Sequence, residues 1–64
     1  MYEAGVKKEY IAEFKLDGLI ISIHYWTEYP IGAKANIAEA KKAYRAFYPN
    51  RECVIIGRKP NEQS

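Results

Sequence analysis

Few side chains in this chain are equipped for chemistry. There is one histidine, His24, and one cysteine, Cys53. Glu9 and Glu13 lie in a stretch that alternates apolar and polar residues, so both carboxylates point to one face of a strand. Such a pair can divide into acid and base where the two environments differ. Here no pocket is implied around them, and a solvated pair is the simpler reading. His24 could act as a base, but in this strand it reads more simply as a surface histidine. Cys53 sits in an apolar run, where a thiol is an inert small hydrophobe. A reactive thiol would need a basic, exposed setting. A tetrahedral zinc site takes about four ligands, mostly Cys and His, which this chain cannot supply. A single cysteine also rules out an internal disulfide. The stretch Gly32-Ala33-Lys34-Ala35-Asn36 precedes a helical pattern but is no phosphate loop. The expectation is a non-enzymatic protein with no metal and no cofactor.

The elements that position these residues follow from periodicity. Residues 9–16 alternate, with Tyr10, Ala12, Phe14 and Leu16 on one face and Glu9, Ile11, Glu13 and Lys15 on the other. Asp17-Gly18 is a two-residue hairpin signal, since a type I′ turn needs positive φ at both central residues. That turn sets Leu16 opposite Leu19, Phe14 opposite Ile21, Ala12 opposite Ile23 and Tyr10 opposite Tyr25. Every pair is apolar or aromatic, and a slip of one residue would destroy the agreement. The same register puts Lys15 with Ile20, Glu13 with Ser22, Ile11 with His24 and Glu9 with Trp26 on the outer face.

Pro30 and Gly32 break the connection that follows. Asn36 with Glu39 three residues on predicts an N-cap and capping box for a helix over 37–48. Ile37, Ala40, Tyr44 and Phe47 make its apolar stripe, with Ala43 beside them. Pro49-Asn50 stops it. Residues 51–58 predict a last strand, in which either Val54 and Ile56 or Cys53 and Ile55 face the helix. Gly57 marks a bulge or a close backbone approach. Residues 1–7 and 60–64 are expected to be mobile ends. The result is a single small α+β domain with strand order 2-1-3, all antiparallel, and one helix on one face of the sheet.

Sixty-four residues make one domain with a small core. The six Tyr, two Phe and one Trp suit it, because rings bury much area per residue. Ten basic and eight acidic residues give +2, too balanced to imply nucleic acid or membrane by themselves. No apolar run approaches the ~20 residues of a membrane span. A free thiol without a signal-peptide pattern points to the cytoplasm.

Three kinds of partner remain. The outer hairpin face gathers Ile11, Ile20 and Trp26 around His24, a cluster of the sort that marks protein interfaces. The plainer alternative is that the N-terminal segment, with Tyr2 and Val6, folds over it. The same patch would also serve as the interface of an obligate homodimer. Lys41, Lys42 and Arg45 form a basic helix side, with Lys34, Arg51, Arg58 and Lys59 near its ends, which would suit nucleic acid. The outward Glu9 and Glu13 would repel phosphate from the sheet.

The hairpin–helix–strand order, the Ala-rich helix ending Phe47-Tyr48-Pro49 and the close Gly57-Arg58-Lys59-Pro60 resemble small phage-encoded host-takeover proteins. The nearest is the small phage inhibitor of bacterial RNA polymerase. The likeness spans residues 8–60 in layout and few in identity. That family pairs two alternating arginines on its last strand with an acidic strip. Here Arg58 alone is an arginine and its neighbour Lys59 points to the opposite face, so the pair is not reproduced, and Glu9 and Glu13 are only a loose counterpart of the strip. The resemblance implies a non-enzymatic inhibitor in the host cytoplasm. It would dock on a larger host protein, such as a nucleic-acid enzyme, through the outer hairpin face and Arg58.

Overall fold

The computed structural model describes residues 6–61. Two long strands, β1 (Lys8–Leu16) and β2 (Leu19–Thr27), are followed by a helix, α1 (Lys34–Phe47), and a last strand, β3 (Val54–Pro60). The sheet has the order β2-β1-β3, with both pairings antiparallel. This is the expected ββαβ arrangement of a small α+β domain.

The hairpin register agrees with the turn chemistry at every position from Lys8 opposite Thr27 to Leu16 opposite Leu19. Asp17 has φ 53° and Gly18 φ 81°, the two positive values a type I′ turn requires. Asp tolerates that region because its short polar side chain bonds locally. Arg51 reaches across from the segment before β3 and pairs with the Asp17 carboxylate, tying the turn to the start of the third strand.

The core lies between the sheet and the helix. Tyr10, Ala12, Phe14, Ile23, Tyr25, Ala40 and Tyr44 are buried in it. Its rings touch in sequence: Tyr10 stacks on Tyr25 at 5.7 Å, Phe14 meets Tyr44 at 4.6 Å, and Tyr44 meets Tyr48 at 5.3 Å. Such pairs each add about 0.5–1.5 kcal/mol beyond the area they bury. Ala40 and Ala43 let the helix approach β2, its main contact.

Two expectations about the helix are corrected. It begins at Lys34, its N-cap is Ala33 with no side-chain bond, and Asn36 is not a cap. Asn36 instead belongs to the first turn and is fully buried, one turn ahead of Ala40 and two ahead of Tyr44. The inward stripe is therefore Asn36, Ala40, Ala43 and Tyr44. Ile37 is half-buried, and Phe47 is 68 % exposed rather than core. The cause is the set of partners that Asn36 finds inside the molecule, described below.

The last strand starts at Val54 rather than at residue 51, and Cys53 and Ile55 are the residues packed against the core. Glu13 pairs with Gly57 while Phe14 pairs with Ile55, so Ile56 is an extra residue. This bulge beside Gly57 reverses which side chains face the helix. Pro60 lies within β3, so the expected mobile end does not begin there; residues 1–5 and 62–64 of the two predicted ends lie outside the described residues.

Candidate protein interface

The face of the sheet turned away from α1 is built by period-two alternation on three strands. β1 supplies Glu9, Ile11, Glu13 and Lys15, and β2 supplies Ile20, Ser22, His24 and Trp26. β3 adds Val54 opposite Lys15, Gly57 opposite Glu13 and Lys59 opposite Ile11. No described helix or strand packs on this face. Ile20, Trp26, Val54 and the bulged Ile56 are exposed, and Ile11 is half-buried between its neighbours on the central strand. Tyr2, expected as a cover for this patch, lies outside the described residues, and Val6 is itself exposed.

One polar pair crosses the apolar cluster. His24 Nδ1 lies 2.7 Å from Glu9 Oε2, a diagonal contact between β2 and β1. It becomes an ion pair when the imidazole is protonated. A histidine held by a carboxylate is the orienting half of an acid–base relay, which also needs a nucleophile about 2.6–3.2 Å from the ring. The hydroxyl on the same face of β2 belongs to Ser22, two residues along, and two residues of strand span about 6.6 Å. The pair fits an orienting contact for His24 beside Trp26 better than a reacting group. Among the described residues there is no cluster of three or more His, Cys, Asp or Glu able to hold a metal ion.

The structure places Ile11, His24 and Trp26 side by side, puts Ile20 on the same face about 20 Å along β2 from Trp26, and leaves Arg58 out. The bulge turns Arg58 to the helix side, opposite Ala12. There its Nη1 donates to Asn36 Oδ1 at 2.7 Å and to the Ile31 carbonyl at 2.7 Å. Asn36 Oδ1 also accepts from the Tyr25 hydroxyl at 2.6 Å, and Asn36 Nδ2 donates to the Tyr29 carbonyl at 2.9 Å. The Tyr29 N–H donates in turn to Thr27 Oγ1. Burial raises the Tyr25 pKa above 10.0, and the Arg58 hydrogen bond and charge pull it back only in part. This network fastens the loop after β2, the first turn of α1 and β3 to one another. Arg58 is thus placed for internal support rather than on the outer face.

The basic residues of the helix lie elsewhere. Lys34, Lys42 and Arg45 are exposed and Lys41 is half-buried, on a helix whose inward side rests on β2. Arg51 is engaged with Asp17. Val54 and Ile56 are the apolar members of the outer face that the alternation alone left undecided. The pairing of Val54 with Lys15 and of Ile55 with Phe14 assigns them, while the bulge, signalled by Gly57, changes only the residues after it.

The fold and this face define a small α+β domain with one open sheet surface. Comparison with protein-family models, curated proteins and solved structures finds no match to the chain. No helix among the described residues is long and apolar enough to cross a membrane.

Proposed function

We propose that this chain is a small non-catalytic module that binds another protein through the outer face of its sheet. The supporting observation is the set of exposed apolar side chains on this face, Trp26 and Ile20 on β2 and Val54 and Ile56 on β3, with the half-buried Ile11 diagonal to Trp26 on β1. In so small a domain, this many exposed apolar side chains on one sheet face mark an interaction surface. The Trp26 ring gives it an anchor of the type that dominates interface energies. Glu9, His24, Lys15 and Lys59 intersperse polar groups among these apolar side chains, in keeping with the mixed polarity of interfaces between separately folded proteins. The layout shared with small phage-encoded inhibitors supports a specific form of this reading, in which the partner is a larger host enzyme or polymerase in the host cytoplasm.

The test is retrieval of a partner from bacterial lysate, alongside mobility-shift measurements with DNA and RNA at low salt. Retention of one protein with no shift is the expected result. A shift that weakens steeply with salt, with no protein retained, would instead assign the function to Lys41, Lys42 and Arg45. Sedimentation of the purified chain separates out the third case. A tight dimer that shields Trp26 would make the patch its own homodimer interface.

A further inference from the structure

The two edges of the sheet are built differently. β3 carries the bulge at Ile56 and then Gly57, Arg58, Lys59 and Pro60. Bulges, lysines and prolines are the devices that keep a foreign strand from pairing with an edge. β2 has none of them. Its nine residues, LIISIHYWT, include no Gly, Pro, Asp, Glu, Lys or Arg, and they pair with β1 without interruption.

The turn also decides which backbone groups of β2 remain open. A two-residue loop makes Leu16 and Leu19 the closing hydrogen-bonded pair, and bonded and non-bonded pairs then alternate. Leu19, Ile21, Ile23, Tyr25 and Thr27 direct their N–H and C=O groups to β1. Ile20, Ser22, His24 and Trp26 direct theirs to the free edge. Beside that edge runs a groove of about 440 Å³. Ile21 and Ile23 from the helix side of β2, Ser22 and Trp26 from its outer side, and Phe47 and Tyr48 from the end of α1 all line it. Side chains from both faces of one strand meet in one groove only along that strand's edge. Phe47, left out of the core, overhangs it.

The geometry points to strand addition: the free edge of β2 takes an extended, apolar, uncharged segment of a partner protein as a fourth strand. The backbone groups of Ile20, Ser22, His24 and Trp26 pair with the segment. A side chain on the segment's helix-facing side enters the groove beside Phe47. The segment is uncharged because the ionisable side chain on this edge, His24, already faces Glu9. A buried charge on the segment would meet no counter-charge there. A second copy of this chain fits poorly. α1 contacts β2 more than any other strand, so pairing β2 with its own copy would crowd two helices over adjacent strands about 4.8 Å apart, where packed helices need about 8–10 Å. The added segment is therefore bare on its helix-facing side. This contact goes beyond the outer-face reading, because it uses main chain rather than Ile11, Val54 or Ile56.

The experiment is amide hydrogen exchange on the full chain. The probe is an end-blocked nine-residue peptide alternating leucine and threonine, with an oligoethylene-glycol tail for solubility. At about ten times its dissociation constant the peptide should slow exchange about tenfold at Ile20, Ser22, His24 and Trp26. The same peptide N-methylated at alternate residues should leave them unchanged. Ser22→Pro removes an outward N–H on an edge strand, where proline is tolerated. It should keep the fold and lose the protection. Ile11→Lys, on the central strand, should keep both. Three results would overturn the proposal: no protection at millimolar peptide, equal protection by the N-methylated peptide, or protection that grows with protein concentration in the absence of peptide.

Discussion

Asn36 and Trp26 show what a single residue contributes to this molecule. Asn36 is fully buried and joins the Tyr25 hydroxyl, the Tyr29 carbonyl and the Arg58 guanidinium. Replacing it with alanine strands those groups in the interior, and each unsatisfied buried polar group costs about 1–3 kcal/mol. Arg58 keeps its bond to the Ile31 carbonyl, which limits the loss. Asn36→Ala should therefore lower the urea-unfolding free energy by about 3 kcal/mol. That is a large share of the roughly 3–10 kcal/mol expected for a chain of this length. Trp26→Ala should change it by no more than about 0.5 kcal/mol, because the ring is mostly solvent-facing. The same substitution should abolish partner retention. Loss of the fold in Trp26→Ala would place the ring in the core and remove it from the interface. Trp26 was legible in the sequence because the turn register fixed its face. Asn36 was not, because Asn followed three residues later by Glu is also a sound local cap pattern. Its actual partners are 7, 11 and 22 residues away in the chain.

At the level of elements, the hairpin was fully legible and the third strand was not. Asp17-Gly18 demands a type I′ turn, and that turn carries the register along both strands. Gly18→Ala would place a Cβ at φ 81°, with no neighbouring atom within 4 Å to clash. The cost is thus purely conformational, about 1–2 kcal/mol. Chemical denaturation should show that loss with the slope unchanged. In β3 strict alternation would keep Arg58 on the face of Val54 and Ile56. The bulge inserts Ile56 and moves Arg58 to the other side. Composition marked Gly57 as a site for a bulge, but the direction in which alternation fails depends on Phe14 pairing with Ile55 across the sheet. The helix boundary shifted for a similar reason, since its start follows the burial of Asn36 rather than the cap motif.

The molecule as a whole is an asymmetric slab, with a tyrosine-rich core under α1 and an apolar face opposite. That core makes stability depend on pH in a definite direction. Burial raises the pKa of Tyr25 and of Tyr44 above the ordinary 10.0. The folded chain therefore keeps hydroxyl protons that the unfolded chain releases near pH 10. The stabilisation is fully present below that pH and is lost as pH rises through the folded-state values. The urea midpoint should fall between about pH 9 and pH 11. Tyr44→Phe should make that fall shallower. An unchanged midpoint would mean the hydroxyls ionise as freely inside the fold as outside it. The overall order β2-β1-β3 was legible because a short chain with one helix between its second and third strands has few ways to close a sheet.

The most direct test of the outer-face account compares two charge variants in one retrieval experiment from bacterial lysate. Ile11→Lys puts a charge on the central strand of the outer face, beside Trp26, and Arg45→Glu reverses one on the helix. Both should remain folded by circular dichroism. The protein retained by the wild-type chain should be lost with Ile11→Lys and kept with Arg45→Glu. Retention by Ile11→Lys together with loss by Arg45→Glu would contradict the account and move the binding site to the helix.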